Sequence, residues 1–181
     1  SLKYIITPIN CNPKLKKSPY LDFDIVNSDS NYDEKFCDSV TENVGSQKAV
    51  LHAKTKKLDF HVAAAMRYEF FVNDEHFTLY PESSKKEKYA ENSFEIEAKS
   101  GSSYSLNKYA AIVSNLNCKK ENLISLADSL ASDAMRDGFQ KLVNEQKQAW
   151  AEKWSNCDIK IEGDIEAQKT IRFNIFHLKQ T

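Results

Sequence analysis

The stretch FHVAAAMRYEFFV, residues 60–72, decides the fold of this chain. Apolar side chains occupy every second position from Phe60 to Val72. That period of two places them on one face of a β-strand, whereas a helix would spread them around its axis. The stretch therefore predicts a long strand that buries one face in a hydrophobic core.

Shorter stretches on both sides repeat this alternation. They lie at residues 21–25, 49–53, 94–98 and from 104 to about 114. The last of them is apolar on both faces near residues 110–113, and Gly101 marks a turn before it. We therefore predict a β-rich body over about residues 1–115.

The period changes after Asn117, where apolar residues recur at intervals of three and four, as on one face of a helix. They are Leu123, Leu126, Ala127, Leu130 and Ala134. A second helix is predicted after Gly138, then a short strand over Asp158–Ile161, then a last helix with Asp164 as its N-cap. Strands followed by helices are typical of an α+β chain.

The last predicted helix is apolar over a broad arc. Its apolar residues are Ile171, Phe173, Ile175, Phe176 and Leu178. Because a helix of that kind is normally buried on two sides, we expect it to lie inside a larger helical layer. The patterns alone therefore predict a β-rich body over about residues 1–115 followed by helices.

Composition and charge narrow the classes of function. A formal net charge of −1 over 181 residues gives no reason to expect a nucleic-acid partner. No apolar run approaches the roughly 20 residues of a membrane-spanning helix, and the first residues lack the order of a signal peptide. The four cysteines form no CxxC pair and have no histidine at metal-site spacing, which favours free thiols. We expect a cytoplasmic protein with no metal ion and no membrane partner.

Motifs of catalysis are missing from the sequence, which has no Gly-rich phosphate loop, no HExxH and no GxSxG. His52 and His61 lie on faces opposite the main apolar rows, so we expect them at surface or edge positions. The loop at residues 27–36 carries Asn31 and Tyr32 among many turn-forming residues. Its amide, carboxylate and aromatic groups suit a sugar-contacting loop, and the same composition suits a structural turn.

Three segments near the C-terminal end carry a resemblance to a known family. They read AWAEKW at residues 149–154, DIKIEGD at 158–164 and RFNIFHL at 172–178, with Gln168 between the last two. Together they strongly resemble the glycoside hydrolase family 65 phosphorylases. Upstream, residues 108–113 are similar to the last sandwich strand of that family.

Other residues indicate the maltose phosphorylase branch of the family. The loop at residues 27–36, followed by residues 54–57 and by Asp59 and Phe60, is similar to that branch. Cys37 departs from the branch pattern, in which a tryptophan is expected.

The resemblance implies both an architecture and a reaction. Residues 1–117 would be part of an incomplete, mainly antiparallel β-sandwich of the galactose-mutarotase supersandwich type. Residues 118–157 would be a helical linker, and residues 158–181 would begin an (α/α)6 barrel. The parent enzyme would convert maltose and phosphate to β-glucose 1-phosphate and glucose with inversion. One carboxylic acid protonates the leaving oxygen while phosphate attacks the opposite face, so no second carboxylate base is required. Inorganic phosphate is the expected co-substrate, and no cofactor is expected.

In the family, the acid and the phosphate-binding residues lie in the barrel, so we expect no catalytic residue in this chain. The candidates for substrate binding are Asn31 and Tyr32 in the sandwich loop and His177 and Gln180 late on the first barrel helix, each with a structural role as the alternative. Arg172 is expected to pair with a carboxylate at the sandwich–barrel boundary. The parent protein is expected to be a homodimer that binds a disaccharide and phosphate.

Two alternatives stay open from the sequence. The first is another specificity in the same family, namely a trehalose, kojibiose or nigerose phosphorylase, or a hydrolase. The second is a free-standing carbohydrate-binding β-sandwich. The broad apolar arc of the last helix speaks against the second, because a free module would leave that surface in water.

Overall fold

The computed structural model describes residues 1–26, 35–116 and 118–180. This part of the chain forms ten β-strands followed by three α-helices. The strands are β1 (Leu2–Ile6), β2 (Lys14–Lys17), β3 (Tyr20–Asp22), β4 (Cys37–Gly45), β5 (Lys48–Thr55), β6 (His61–Val72), β7 (Glu75–His76), β8 (Glu82–Lys86), β9 (Tyr89–Glu97) and β10 (Tyr104–Ser114). The helices are α1 (Leu123–Asp137), α2 (Phe139–Ser155) and α3 (Ile165–Gln180). The predicted α+β class with mainly antiparallel sheet is confirmed.

The strands form two antiparallel sheets. The larger sheet has the order β1-β10-β6-β5-β4, and β7 pairs with β6. In the smaller sheet β9 is central, with β2 and β3 along one edge and β8 along the other. All of these pairings are antiparallel, which hairpins and short connections allow.

The core between the two sheets is built on the predicted face of β6. Met66 and Phe70 are fully buried, and Tyr68 is 1% exposed. The ring of Tyr68 stacks on Phe94 of β9 at 6.2 Å between centroids, and Phe70 meets the same ring edge-on at 5.4 Å. The alternation of apolar residues in this strand therefore predicted its buried face correctly.

The other face of β6 is also buried, because α1 packs against it. Ala63 and Ala65 of the strand and Ala127 and Ala131 of the helix belong to one core cluster and are all fully buried. Alanine side chains at facing positions let the helix lie close to the sheet. A two-pronged ion pair strengthens this contact, since the Arg67 guanidinium donates to both carboxylate oxygens of Asp128 at 2.8 and 3.0 Å.

The chain divides into two compact units, Ser1–Phe139 and Gln140–Thr181. The two sheets and α1 belong to the first unit, and α3 belongs to the second. The domain boundaries predicted after residues 117 and 157 stay predictions. No helix of the described residues is long and apolar enough to cross a membrane.

The short strand predicted over Asp158–Ile161 is wrong. These residues form no strand and pair with no strand of the described part. The Gln168 side chain instead hydrogen-bonds the backbone of this segment. Its Nε2 donates to Ile159 O at 2.8 Å, and its Oε1 accepts from Ile161 N at 2.7 Å. The predicted N-cap of α3 is confirmed, because Asp164 Oδ1 accepts from Ala167 N at 2.9 Å.

Candidate functional site

An open groove of about 900 Å³ lies at one end of the sandwich. It is enclosed by the end of β6, the start of β10, residues 77–82 and residues 93–97 of β9. Its floor is apolar and buried, since Leu79 and Phe94 are 5% and 6% exposed. Its rim carries Tyr80, which is 91% exposed. A buried apolar floor below an exposed aromatic rim is a common arrangement in ligand sites.

One wall of the groove is a free edge of β9. The strand β8 pairs with β9 only as far as Ser93. Ala98 N points to the opposite edge, where it donates to Pro13 O at 2.9 Å. Because backbone groups of successive residues point to alternate edges of a strand, the N–H and C=O groups of Glu95 and Glu97 point toward the groove, where no described strand pairs with them.

The side chains around the groove carry both signs of charge. Lys16 and Lys99 are among its lining residues, as are Glu82, Glu95 and Glu97. The Lys14 ammonium lies 2.5 Å from Glu95 Oε2, and this hydrogen bond and charge lower the pKa of that carboxyl. The groove therefore attracts neither a strongly anionic nor a strongly cationic ligand.

A second polar cluster connects β5 and β6. His52 Nε2 lies 2.9 Å from His61 Nδ1, and His61 Nε2 lies 2.9 Å from Asp59 Oδ1. Asp59 Oδ2 also accepts from the Lys120 ammonium. We assign the proton of His61 to Nε2, which donates to the carboxylate, so His61 Nδ1 accepts from His52 Nε2–H. The predicted surface or edge position is wrong for His52, which is only 8% exposed.

The hydrogen bonds of this cluster connect β5 and β6 with the residues between β10 and α1. The backbone N–H of His61 donates to Asn115 Oδ1 at 3.1 Å. The Asp59 carboxylate binds Lys120 just before α1. The hydrogen bond from Lys120, and next that from His61, lowers the pKa of Asp59. Among the residues that the structure describes, no three His, Cys, Asp or Glu side chains are grouped so as to hold a metal ion.

The buried imidazole of His52 should make stability fall in mild acid. Burial, and then the nearby charge of His61, lowers the pKa of His52 below its ordinary value of 6.5. The unfolded chain takes up that proton first, so stability conferred by neutral His52 is present above pH 6.5 and is lost as pH falls below it. The expected slope is at most about 1.4 kcal/mol per pH unit for one proton.

Urea unfolding at several pH values between neutral and mildly acidic checks this. We expect a steeper loss of stability for the natural chain than for His52→Gln. The matched control is His76→Gln, which changes an exposed histidine and should keep the natural slope. A His52→Gln chain with an unchanged slope would show that this imidazole does not control the acid response.

The two segments that resemble the maltose phosphorylase branch lie side by side where the structure describes them. Lys56 N donates to Phe36 O at 2.8 Å, and Cys37 pairs with Thr55 across β4 and β5. Phe36 and Leu58 line a pocket of about 310 Å³ next to this contact. The substrate-binding candidates Asn31 and Tyr32 lie outside the described residues, so their role stays a prediction.

The other two candidates lie on α3 in the second compact unit. The His177 ring meets Phe173 edge-on at 4.3 Å and Phe176 at 5.6 Å. Gln180 is the last residue of the helix and is exposed, as is His177. The structure therefore gives His177 an aromatic packing role, and substrate binding by either residue stays a prediction.

Arg172 is held by a carboxylate, although the partner lies on the segment before α3. Its Nε donates to Asp158 Oδ1 at 2.8 Å and its Nη2 to Oδ2 at 2.6 Å. The guanidinium lowers the pKa of Asp158. Trp150 of α2 packs on Phe176 of α3 with 4.8 Å between ring centroids. These contacts fix the path of the chain from α2 into α3.

Comparison with known protein families matches most of this chain. Residues 1–153 match the family model described as Glycosyl hydrolase family 65, N-terminal domain. The chain belongs to glycosyl hydrolase family 65. The family resemblance found in the sequence is thus confirmed, and the matched residues include both sheets, α1 and most of α2.

Two of the similar proteins are named as phosphorylases of different disaccharides. The maltose phosphorylase of Bacillus subtilis is 31% identical over 163 residues, which cover 90% of this chain and 21% of that protein. The α,α-trehalose phosphorylase of Thermoanaerobacter brockii is 28% identical and covers 100% of this chain and 24% of its own length. This chain therefore spans between a fifth and a quarter of the length of these relatives.

A solved structure supports the fold. The structure named "Putative kojibiose phosphorylase from human microbiome" matches with a TM-score of 0.81 and 18% sequence identity, covering 97% of this chain and 22% of that chain. At that identity the match shows the fold alone, and it says nothing about the substrate.

Proposed function

We propose that this chain is the non-catalytic N-terminal part of an inverting phosphorylase that converts maltose and phosphate to β-glucose 1-phosphate and glucose. Support comes from the family model over residues 1–153 and from the maltose phosphorylase that is 31% identical. The parent protein would be a cytoplasmic homodimer. Its substrates would be a disaccharide and inorganic phosphate, with no further cofactor.

The first support for the non-catalytic role is the pairing of four carboxyl groups with cationic side chains. An inverting phosphorylase needs a carboxylic acid whose pKa is raised, so that it still holds a proton for the leaving oxygen. The carboxyl groups of Asp24, Asp59, Glu95 and Asp158 have lowered pKa values instead. Each pairs with a lysine or arginine, which favours the charged form and makes a poor proton donor.

The second support is the exposed apolar surface of α3. Ile165, Phe173 and Leu178 are 74%, 62% and 76% exposed. The helix is nevertheless well anchored, because Arg172 and Gln168 bind the segment that precedes it. We infer that in a longer polypeptide a further layer of helices, of the (α/α)6 barrel type, covers this surface and carries the reaction centre.

Phosphorolysis assays test the proposal. The purified chain of 181 residues should release no glucose from maltose in phosphate above the buffer rate. A longer polypeptide, in which this chain is followed by its own continuation, should release glucose and β-glucose 1-phosphate from maltose only when phosphate is present. Trehalose, kojibiose and nigerose are the matched alternative substrates.

Each outcome decides a different part. Activity of the chain alone would contradict the non-catalytic role. Preference of the longer polypeptide for trehalose or kojibiose would contradict maltose as the substrate while leaving the role of this domain intact. Glucose release without phosphate would make the parent a hydrolase.

A further inference from the structure

We propose that the open groove at the end of the sandwich binds a neutral oligosaccharide. This inference rests on the proposed function insofar as that function makes a sugar the expected ligand class. The groove itself, with its exposed tyrosine and its free strand edge, supplies the recognition chemistry.

Tyr80 provides the stacking surface. Its side chain is 91% exposed at the rim, while the preceding residue, Leu79, is 5% exposed and anchors the segment in the core. Pro81 follows directly and restricts the backbone of Tyr80 to extended conformations. An exposed ring at the rim offers its flat face to the C–H face of a sugar.

The strand edge provides hydrogen-bonding groups. Glu95 and Glu97 each direct a backbone N–H and C=O toward the groove on the unpaired edge of β9. Adjacent sugar hydroxyls each need both a donor and an acceptor, and an open strand edge presents the two side by side. Asn73 adds a donor, because its amide oxygen already accepts from Ser103 N at 2.8 Å and its NH2 group is left for a ligand.

Charge favours an uncharged ligand. The residues that line the groove include Lys16 and Lys99 as well as Glu82, Glu95 and Glu97. A phosphate group would meet the carboxylates, and a polycation would meet the ammonium groups. A neutral sugar accepts from the lysines and donates to the carboxylates, so it can use both kinds of group.

The groove is also of suitable size and is already formed. Its volume of about 900 Å³ lies within the range of small-molecule sites and leaves room for more than one sugar ring. The floor is fixed, since Tyr104 Oη accepts from Lys99 N at 2.7 Å and its ring lies in the core cluster with Phe94. Binding therefore requires little rearrangement of the protein.

Titration of the ¹⁵N-labelled chain with maltose and maltotriose, followed by amide NMR, tests the inference. We expect saturable shifts confined to residues 77–82 and 93–97, with the amides of Glu95 and Glu97 among those that move most. Tyr80→Ala should weaken binding by about tenfold, because the stacking surface is lost. Tyr4→Ala is the matched control, since Tyr4 is a half-exposed tyrosine on β1 away from the groove.

Three outcomes of the titration would contradict binding in the groove. Equal affinity of Tyr80→Ala and the natural chain, shifts elsewhere on the surface, or no saturation up to the solubility limit of maltotriose would each overturn the inference. Inorganic phosphate should cause no saturable shift in the same residues. Because the readout is binding by this chain without turnover, its failure leaves the phosphorolysis assay of the longer polypeptide to decide the proposed function separately.

Discussion

Replacing Tyr68 with alanine should lower the free energy of unfolding by about 3–5 kcal/mol, as other large-to-small changes of buried aromatic residues do. Tyr68 is 1% exposed and lies in the core cluster with Phe70, Phe94 and Leu106. Removing the ring opens a cavity between the two sheets, where β6 and β9 cannot collapse without breaking their pairing with neighbouring strands. Urea unfolding followed by circular dichroism measures the loss.

Tyr68→Phe is the matched control and should behave in the opposite way. Within the described residues the Tyr68 hydroxyl is buried and has no hydrogen-bond partner. Burial raises the pKa of this hydroxyl, which shows how poorly the site accommodates a charge. Deleting it keeps the ring and removes an unsatisfied polar group, so Tyr68→Phe should be neutral or slightly stabilising. A loss near that of Tyr68→Ala would mean that the hydroxyl, and not the ring, stabilises the core.

The inner face of β6 could be predicted from the sequence because its signal is local. Large apolar residues alternate with others over twelve positions, and Met66, Tyr68 and Phe70 are buried as the period requires. The second buried face gave less signal, since Ala63 and Ala65 are small and occur on either side of a sheet. Their burial depends on the packing of α1 against β6, and this contact joins residues that are far apart in the sequence.

The burial of residues 110–113 could be predicted only in part from the sequence. The run is apolar on both faces, and Val113 does pack in the cluster under α1. Ile112, however, is 72% exposed on the opposite face. Whether an apolar face is buried depends on what packs against it, and that cannot be read from one strand.

The polar sites were harder to predict because they depend on register. His52 and His61 are nine residues apart on neighbouring strands, and they meet only because Lys54 pairs with His61. The sequence places both histidines on the same face of adjacent strands. It does not give the pairing register that brings them into contact. The groove was missed entirely, since its free edge at Glu95 and Glu97 exists only because β8 ends early.

Substitutions on α3 should have opposite consequences in the two lengths of polypeptide. In the chain of 181 residues, Phe173→Ala and Leu178→Ala should each change the free energy of unfolding by no more than about 0.5 kcal/mol, because both side chains are mostly exposed. In the longer polypeptide, each should lower it by about 2–5 kcal/mol, because the same side chains would fill the space between α3 and the next helical layer. Phosphorolytic activity should fall in parallel with stability.

The control substitution for these two also lies on α3. Lys179→Ala changes an exposed, polar neighbour of Leu178 and should be neutral at both lengths. Alanine favours the helix at all three positions, so a loss seen only in the longer polypeptide cannot come from helix propensity. Small, equal effects of Phe173→Ala at both lengths would mean that this face remains in water, and the proposal that α3 opens a helical domain would then fail. Large effects confined to the longer polypeptide would place the helix in the wall of that domain, where the family's reaction is expected to occur.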